Sequence, residues 1–148
     1  MRKSRFAALA TRDGGRKRSD AVQAAESQLA TMEGDYIAEA DRLIAQLNVL
    51  SGAAQPDVEA IYRVAATLRG LGGAFGYVLV SDIAGSLCDL AERLGAAGQV
   101  DPPALLAHAQ SLSLLHHRRV KGTGGDGEAQ LCEGLARLVA RWPAATLP

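Results

Sequence analysis

The chain has 148 residues, which suits one domain and lets it bury roughly two-thirds of its unfolded surface. Formal net charge is zero, hydrophobic content is 48% and aromatic content only 4%, so the core must come from Leu, Ala, Val and Ile, a composition that favours packed helices over strands. No apolar run approaches the roughly 20 residues of a membrane span, and Phe6–Ala10 is too short a signal-peptide core before Arg12 breaks it. Cys88 and Cys132 form no CxxC pair and no zinc-spaced cluster. The expectation is a cytoplasmic, all-α protein with buried free thiols and neither metal nor cofactor.

Residues 1–18 carry Arg2, Lys3, Arg5, Arg12, Arg16, Lys17 and Arg18 against a single acid, Asp13. The remainder holds an equal excess of acid. The basic stretch reads as a solvated, disordered tail, and nucleic acid as an unlikely partner for it. The folded body is then expected over 19–148, with Ser19-Asp20 capping its first helix.

Val22, Ala25, Leu29, Met32, Tyr36, Ala40, Leu43, Leu47 and Leu50 follow at spacings of three or four, one stripe on a helix over 20–50. Such a helix would be about 46 Å long at 1.5 Å per residue. Gly34 leaves two options open, one helix running through it or two meeting there. A helix of that length would leave part of its stripe free, which predicts a homodimer through residues 20–50. Gly52 and Pro56 mark a turn, with Pro56 opening the next helix, at 56–73, whose inner stripe is Val58, Ile61, Tyr62, Ala65, Leu68 and Leu71 or Gly72. Further helices are expected at 77–96, from Asp101-Pro102-Pro103 to about 117, and at 127–141, ended by Pro143. The glycine-rich 121–127 segment reads as a flexible loop. Amphipathic helices joined by short loops predict an antiparallel four-helix bundle with an additional N-terminal helix.

The second helix contains Val64-Ala65-Ala66-Thr67-Leu68-Arg69-Gly70-Leu71-Gly72-Gly73-Ala74-Phe75-Gly76. This run resembles the signature of histidine phosphotransfer (HPt) domains, in which a histidine is followed by Lys or Arg at +3 and by glycines at +4, +7 and +10. Counted from position 66, this chain supplies Arg69, Gly70, Gly73 and Gly76, while Ala66 stands at the histidine's place. The resemblance extends over about 25 residues, through Leu79, Val80, Ala84 and Leu87. It implies an HPt-type helical bundle that takes part in two-component phosphorelays and docks a response-regulator receiver domain or a histidine kinase.

The spacing carries its own chemistry. Ala65 and Leu68 point inward, so a side chain at 66 is expected to stand out on the surface. Residues at +3 and +4 flank it on the same helix face. Arg69 presents a forked set of donors to phosphate or carboxylate, and Gly70 leaves room for a partner's backbone. Gly73 reads as doing the same a turn later, or as letting two helices cross closely. Gly76 reads as the hairpin turn, with Gly85 bordering the groove. The receiver-binding set is therefore Tyr62, Arg63, Ala66, Thr67, Arg69, Gly70 and Gly73. Alanine has no nucleophile, so no catalytic residue is expected and the chain is not read as an enzyme. Three readings follow: a pseudo-HPt that docks and modulates without accepting phosphate, a true phosphotransfer protein whose histidine has been replaced by Ala66, and a helical adaptor unrelated to relays.

Other signals carry less. Gly70–Phe75 imitates a dinucleotide loop, but no strand precedes it and the last glycine is missing. Lys121–Gly125 lacks the order of a phosphate loop. His108, His116 and His117 lie outside the signature frame, and His116-His117-Arg118-Arg119 suits a helix C-terminus, where cations meet the dipole favourably.

Overall fold

The structure, a computed structural model, describes residues 2–146, with side chains from residue 17 onward. Among the described residues there are five helices: α1 (Arg2–Ser51), α2 (Val58–Ala74), α3 (Val78–Ala97), α4 (Pro102–His117) and α5 (Asp126–Ala140). No strand occurs among the described residues. The chain divides into two units, Met1–Tyr36 and Ile37–Pro148.

Within the first unit the chain is helical from Arg2 onward. Ser19-Asp20 therefore lie inside α1 rather than capping its start. Strong helix formers explain this: Ala7, Ala8, Leu9 and Ala10 run together, Lys and Arg also favour helix, and no proline intervenes before Pro56. The helix passes through Gly34 without a break, at a local cost of about 1 kcal/mol. Val22, Leu29 and Met32 remain 52%, 64% and 45% exposed.

The second unit holds the core. The end of α1 contributes Ala40, Leu43, Ile44 and Leu47, all buried. It runs antiparallel to α4: Asn48 Nδ2 donates to Ser113 Oγ at 2.9 Å, and His116 Nε2 meets Asp41 Oδ1 at 2.5 Å. The N-cap of α2 is Asp57, whose carboxylate accepts from Ala60 N, so Pro56 precedes the cap instead of opening the helix. Ile61, Ala65, Leu68 and Gly72 form its buried stripe. Leu79, Val80, Ile83, Ala84, Leu87, Leu90, Ala91 and Leu94 of α3 fill the centre. Gly98, left-handed at φ 64°, ends α3, and Asp101 caps α4 ahead of Pro102 and Pro103.

His108 is fully buried and joins α4 to α3. Its Nδ1 donates to Ala104 O at 2.8 Å, and its Nε2 accepts from Ser86 Oγ at 2.9 Å, an assignment that follows because a carbonyl only accepts. Burial pushes its pKa below the usual histidine value, so the ring is neutral. His116 is also buried, and only His117 of the pair is exposed in the last turn of α4.

The glycine-rich loop is docked rather than loose. Gly122 N donates to Gly76 O at 3.3 Å, and the Lys121 ammonium lies 5.2 Å from the Tyr77 ring centroid. A Cβ on Gly124 would come within 2.8 Å of Leu79 Cδ1. Gly125 N then donates to Glu128 Oε2 at 2.9 Å, which starts α5 and holds the Glu128 carboxyl below its ordinary range. At the far end of α5, Trp142 Nε1 donates to Asp101 Oδ2 at 2.9 Å.

Candidate functional site

Helices α2 and α3 form a hairpin whose register is set by small residues. A Cβ on Gly72 would stand 3.2 Å from both Ser81 N and Tyr77 O, so the backbones cross there with no room for a side chain. Gly76, at φ 81°, makes the turn that joins the helices. Ser81 Oγ donates to Arg69 O at 2.8 Å, and a Cβ on Gly73 would meet that hydroxyl at an ordinary 3.5 Å. The close crossing is therefore made by buried Gly72, while Gly73 stays exposed.

Further along, the aliphatic stem of Arg69 lies over Gly85, and Cys88 Sγ approaches Tyr62 O at 3.8 Å. Position 66 falls between those two pairs, alongside the α3 segment that runs from Gly85 to Cys88. Ala66 is half-buried on this surface. Tyr62 is also half-buried, and Arg63, Thr67, Arg69, Gly70 and Gly73 are exposed. All seven predicted residues lie on α2, along the side that borders α3 and the surface next to it.

The charges on this face are unequal in freedom. Arg63 Nη1 pairs with Glu59 at 3.3 Å, an exposed contact worth little. Thr67 Oγ1 donates back to Arg63 O at 3.1 Å and offers its remaining capacity outward. No carboxylate pairs with Arg69 among the described residues. Burial raises the Cys88 thiol above its ordinary pKa, with Arg69 opposing the shift and Glu92 adding to it. Cys88 is therefore a protonated packing residue, not a substitute nucleophile. Beyond Tyr62 an open groove of about 470 Å³ is lined by Val58, Glu59, Tyr62, Ala91, Glu92 and Gly95. Gly72, Ser81 and Cys88 did not stand out as site residues in the sequence, because their roles depend on which helix lies opposite.

Among the described residues no cluster of His, Cys, Asp and Glu could hold a metal ion, and no helix is long and apolar enough to cross a membrane. The arrangement offers one unpaired guanidinium, a glycine-lined approach and an alanine between them. It can bind an acidic partner surface but presents no group at 66 that could take a phosphoryl. The family model for the Hpt domain matches residues 31–141. No curated protein and no solved structure matches the chain.

Proposed function

The chain belongs to the Hpt family, whose members carry phosphoryl groups in two-component relays, and we propose that it works there as a docking module that does not accept phosphate at position 66. The single observation behind this reading is Ala66 in an otherwise complete frame: Arg69 is unpaired, Gly70 and Gly73 are open, and the hairpin register is intact. A receiver's active site is acidic, so Arg69 can pair with it even when no phosphate is transferred. Tyr62, Arg63 and Thr67 border the same approach. Occupying a receiver or a histidine kinase in this way competes with, or sequesters, a relay partner in the cytoplasm. A second copy of the chain, met through α1, is the other partner in this reading.

Family membership sets aside the adaptor unrelated to relays. It leaves a second reading, a phosphotransfer protein whose histidine has been replaced by Ala66, favoured by the half-open setting of that position beside Arg69.

The deciding experiment compares the chain with its Ala66→His and Arg69→Glu variants against phosphorylated and unphosphorylated cognate receivers. The docking reading expects the unaltered chain to bind without acquiring phosphate and Arg69→Glu to lose affinity. Unchanged receiver binding by Arg69→Glu would overturn this face. Acid-labile, base-stable phosphate on Ala66→His would favour the replaced-histidine reading.

A further inference from the structure

Arg69 and the groove beyond Tyr62 lie on one strip of surface, where α2 and α3 run side by side. Arg69 crosses α3 at Gly85, and the groove is lined by Val58, Glu59, Tyr62, Ala91, Glu92 and Gly95. Gly85 and Glu92 are seven positions apart on α3, about 10 Å at 1.5 Å per residue. Cys88, between them, feels both ends: burial raises its thiol pKa, Arg69 lowers it and Glu92 raises it further. The strip is therefore bipolar, with a guanidinium at one end and carboxylates at the other.

The chemistry of the negative end indicates what enters it. Among the described residues no cation pairs with Glu92. Its neighbour Arg93 turns away to Asp89, Val139 and Trp142. Glu59 shares its charge with Arg63 at 3.3 Å. The rest of the lining is Val58, Tyr62, Ala91 and Gly95, largely apolar. A side chain with an aliphatic stem and a cationic head suits both parts, as Lys and Arg do. A purely apolar side chain would take water from Glu92 and give it no partner, and an acidic one would be repelled. The groove is open, so a free small molecule would keep much of its surface in water. A side chain already tethered to the strip at Arg69 enters at high effective concentration instead.

We propose that this groove receives a basic side chain of the docked receiver, carried about 10 Å from the carboxylate that Arg69 engages. On a helix laid along the strip this is a spacing of about seven residues, with an acid over Arg69 and a base over Glu92. The inference rests on the docking reading of α2 and adds a direction to it. A partner with the two charges in this order fits, and one with the reverse order meets like charge at both ends. Glu92 thus selects among receivers that Arg69 alone would treat alike.

The test titrates the full chain and its variants with a cognate receiver. Glu92→Lys should weaken binding about tenfold and Glu92→Gln by less. Both should melt as the unaltered chain does, because Glu92 is exposed and forms no ion pair. Gly95→Leu occupies the groove from its edge and should also weaken binding. A Cβ at 95 meets Val58 Cγ2 at an ordinary 3.9 Å, so Gly95→Ala should fold and bind nearly as the unaltered chain does. Changing one Lys or Arg of the receiver to Glu should restore affinity for Glu92→Lys. Weaker binding by Arg69→Glu, with Glu92→Lys and Gly95→Leu unchanged, would overturn this proposal and leave the docking reading standing. Loss in Gly95→Leu without loss in Glu92→Lys would also overturn it and make the occupant apolar. Binding that no variant alters, Arg69→Glu included, or no binding to any cognate receiver, would remove the docking reading and this proposal together.

Discussion

Arg69 lies across Gly85: a Cβ added to this α3 glycine would stand 3.3 Å from Arg69 Cδ. The guanidinium is steered by the bare backbone beneath its stem. Gly85 occupies the interior of a 20-residue helix, where glycine is unfavourable by roughly 0.5–1 kcal/mol relative to alanine. Two effects of Gly85→Ala therefore separate. The helix gains propensity, and the flexible stem of Arg69 shifts by a few tenths of an ångström. We expect Gly85→Ala to leave thermal stability unchanged or slightly raised while affinity at the proposed receiver-docking face falls. Paired melting and binding measurements on the one variant check both. Affinity that tracks stability would remove the link between Gly85 and the face.

Gly72 and Gly70, two residues apart, should respond oppositely to alanine. At Gly72 the new Cβ meets backbone atoms, Ser81 N and Tyr77 O, both at 3.2 Å, and backbone yields only by opening the hairpin. Overpacking of this kind typically costs about 1–3 kcal/mol. At Gly70 nothing lies within 4 Å, so alanine should stabilise α2 by about 0.5–1 kcal/mol. Urea unfolding of the two single variants gives the signs directly. Equal effects would mean that the crossing is not fixed at Gly72.

That contrast also marks where sequence was legible. The stripes of α2 to α5 follow from each helix's own periodicity, so their spans and buried residues could be read within about two positions of those observed. Which glycine makes the crossing could not, because Gly72 and Gly73 differ by one position and only the opposing Ser81 and Tyr77 separate them. Ala66 is half-buried, a degree of burial that a helix period cannot give because it knows nothing of α3. The glycines of 121–127 suggest a flexible loop, whereas Gly76, Tyr77 and Leu79 meet its first half, at residues 121, 122 and 124.

His108 makes stability depend on pH in a defined direction. Burial lowers its folded-state pKa, so between that value and the unfolded value near 6.5 the unfolded chain binds more protons. Stability from this group is fully present above about pH 6.5 and is lost as pH falls through the folded pKa. Protonation would place a second N–H at Nε2, where the Ser86 hydroxyl now donates, and a charge in an apolar core. His108→Leu should flatten the dependence of unfolding free energy on pH below about 6.5. Chemical denaturation of both proteins across that range measures it. An unchanged slope would show that the acid sensitivity arises elsewhere.

Arg93 closes the C-terminus of α5 against α3. Its Nη1 donates to Trp142 O at 2.8 Å and to Val139 O at 3.3 Å, and its Nε donates to Asp89 at 3.0 Å. Val139 O already accepts from Trp142 N at 3.0 Å and Trp142 lies just past the helix, so Arg93 adds a charged donor to both carbonyls at the negative end of the dipole. The side chain is only 20% exposed, so water cannot fully replace these bonds. Arg93→Met, which keeps the apolar stem, should cost about 1.5–3 kcal/mol, the range for hydrogen bonds to a charged group. Arg93→Lys should recover only part of that, because a single ammonium cannot reproduce a fork that spans two carbonyls and a carboxylate. Hydrogen exchange should show the loss concentrated over residues 136–142 with α2 little affected. The proposed docking of a receiver at Arg69 should be unaffected, because the clamp and the α2 face share no residue. Loss of protection spread evenly over all helices would instead mean that the clamp supports the whole bundle.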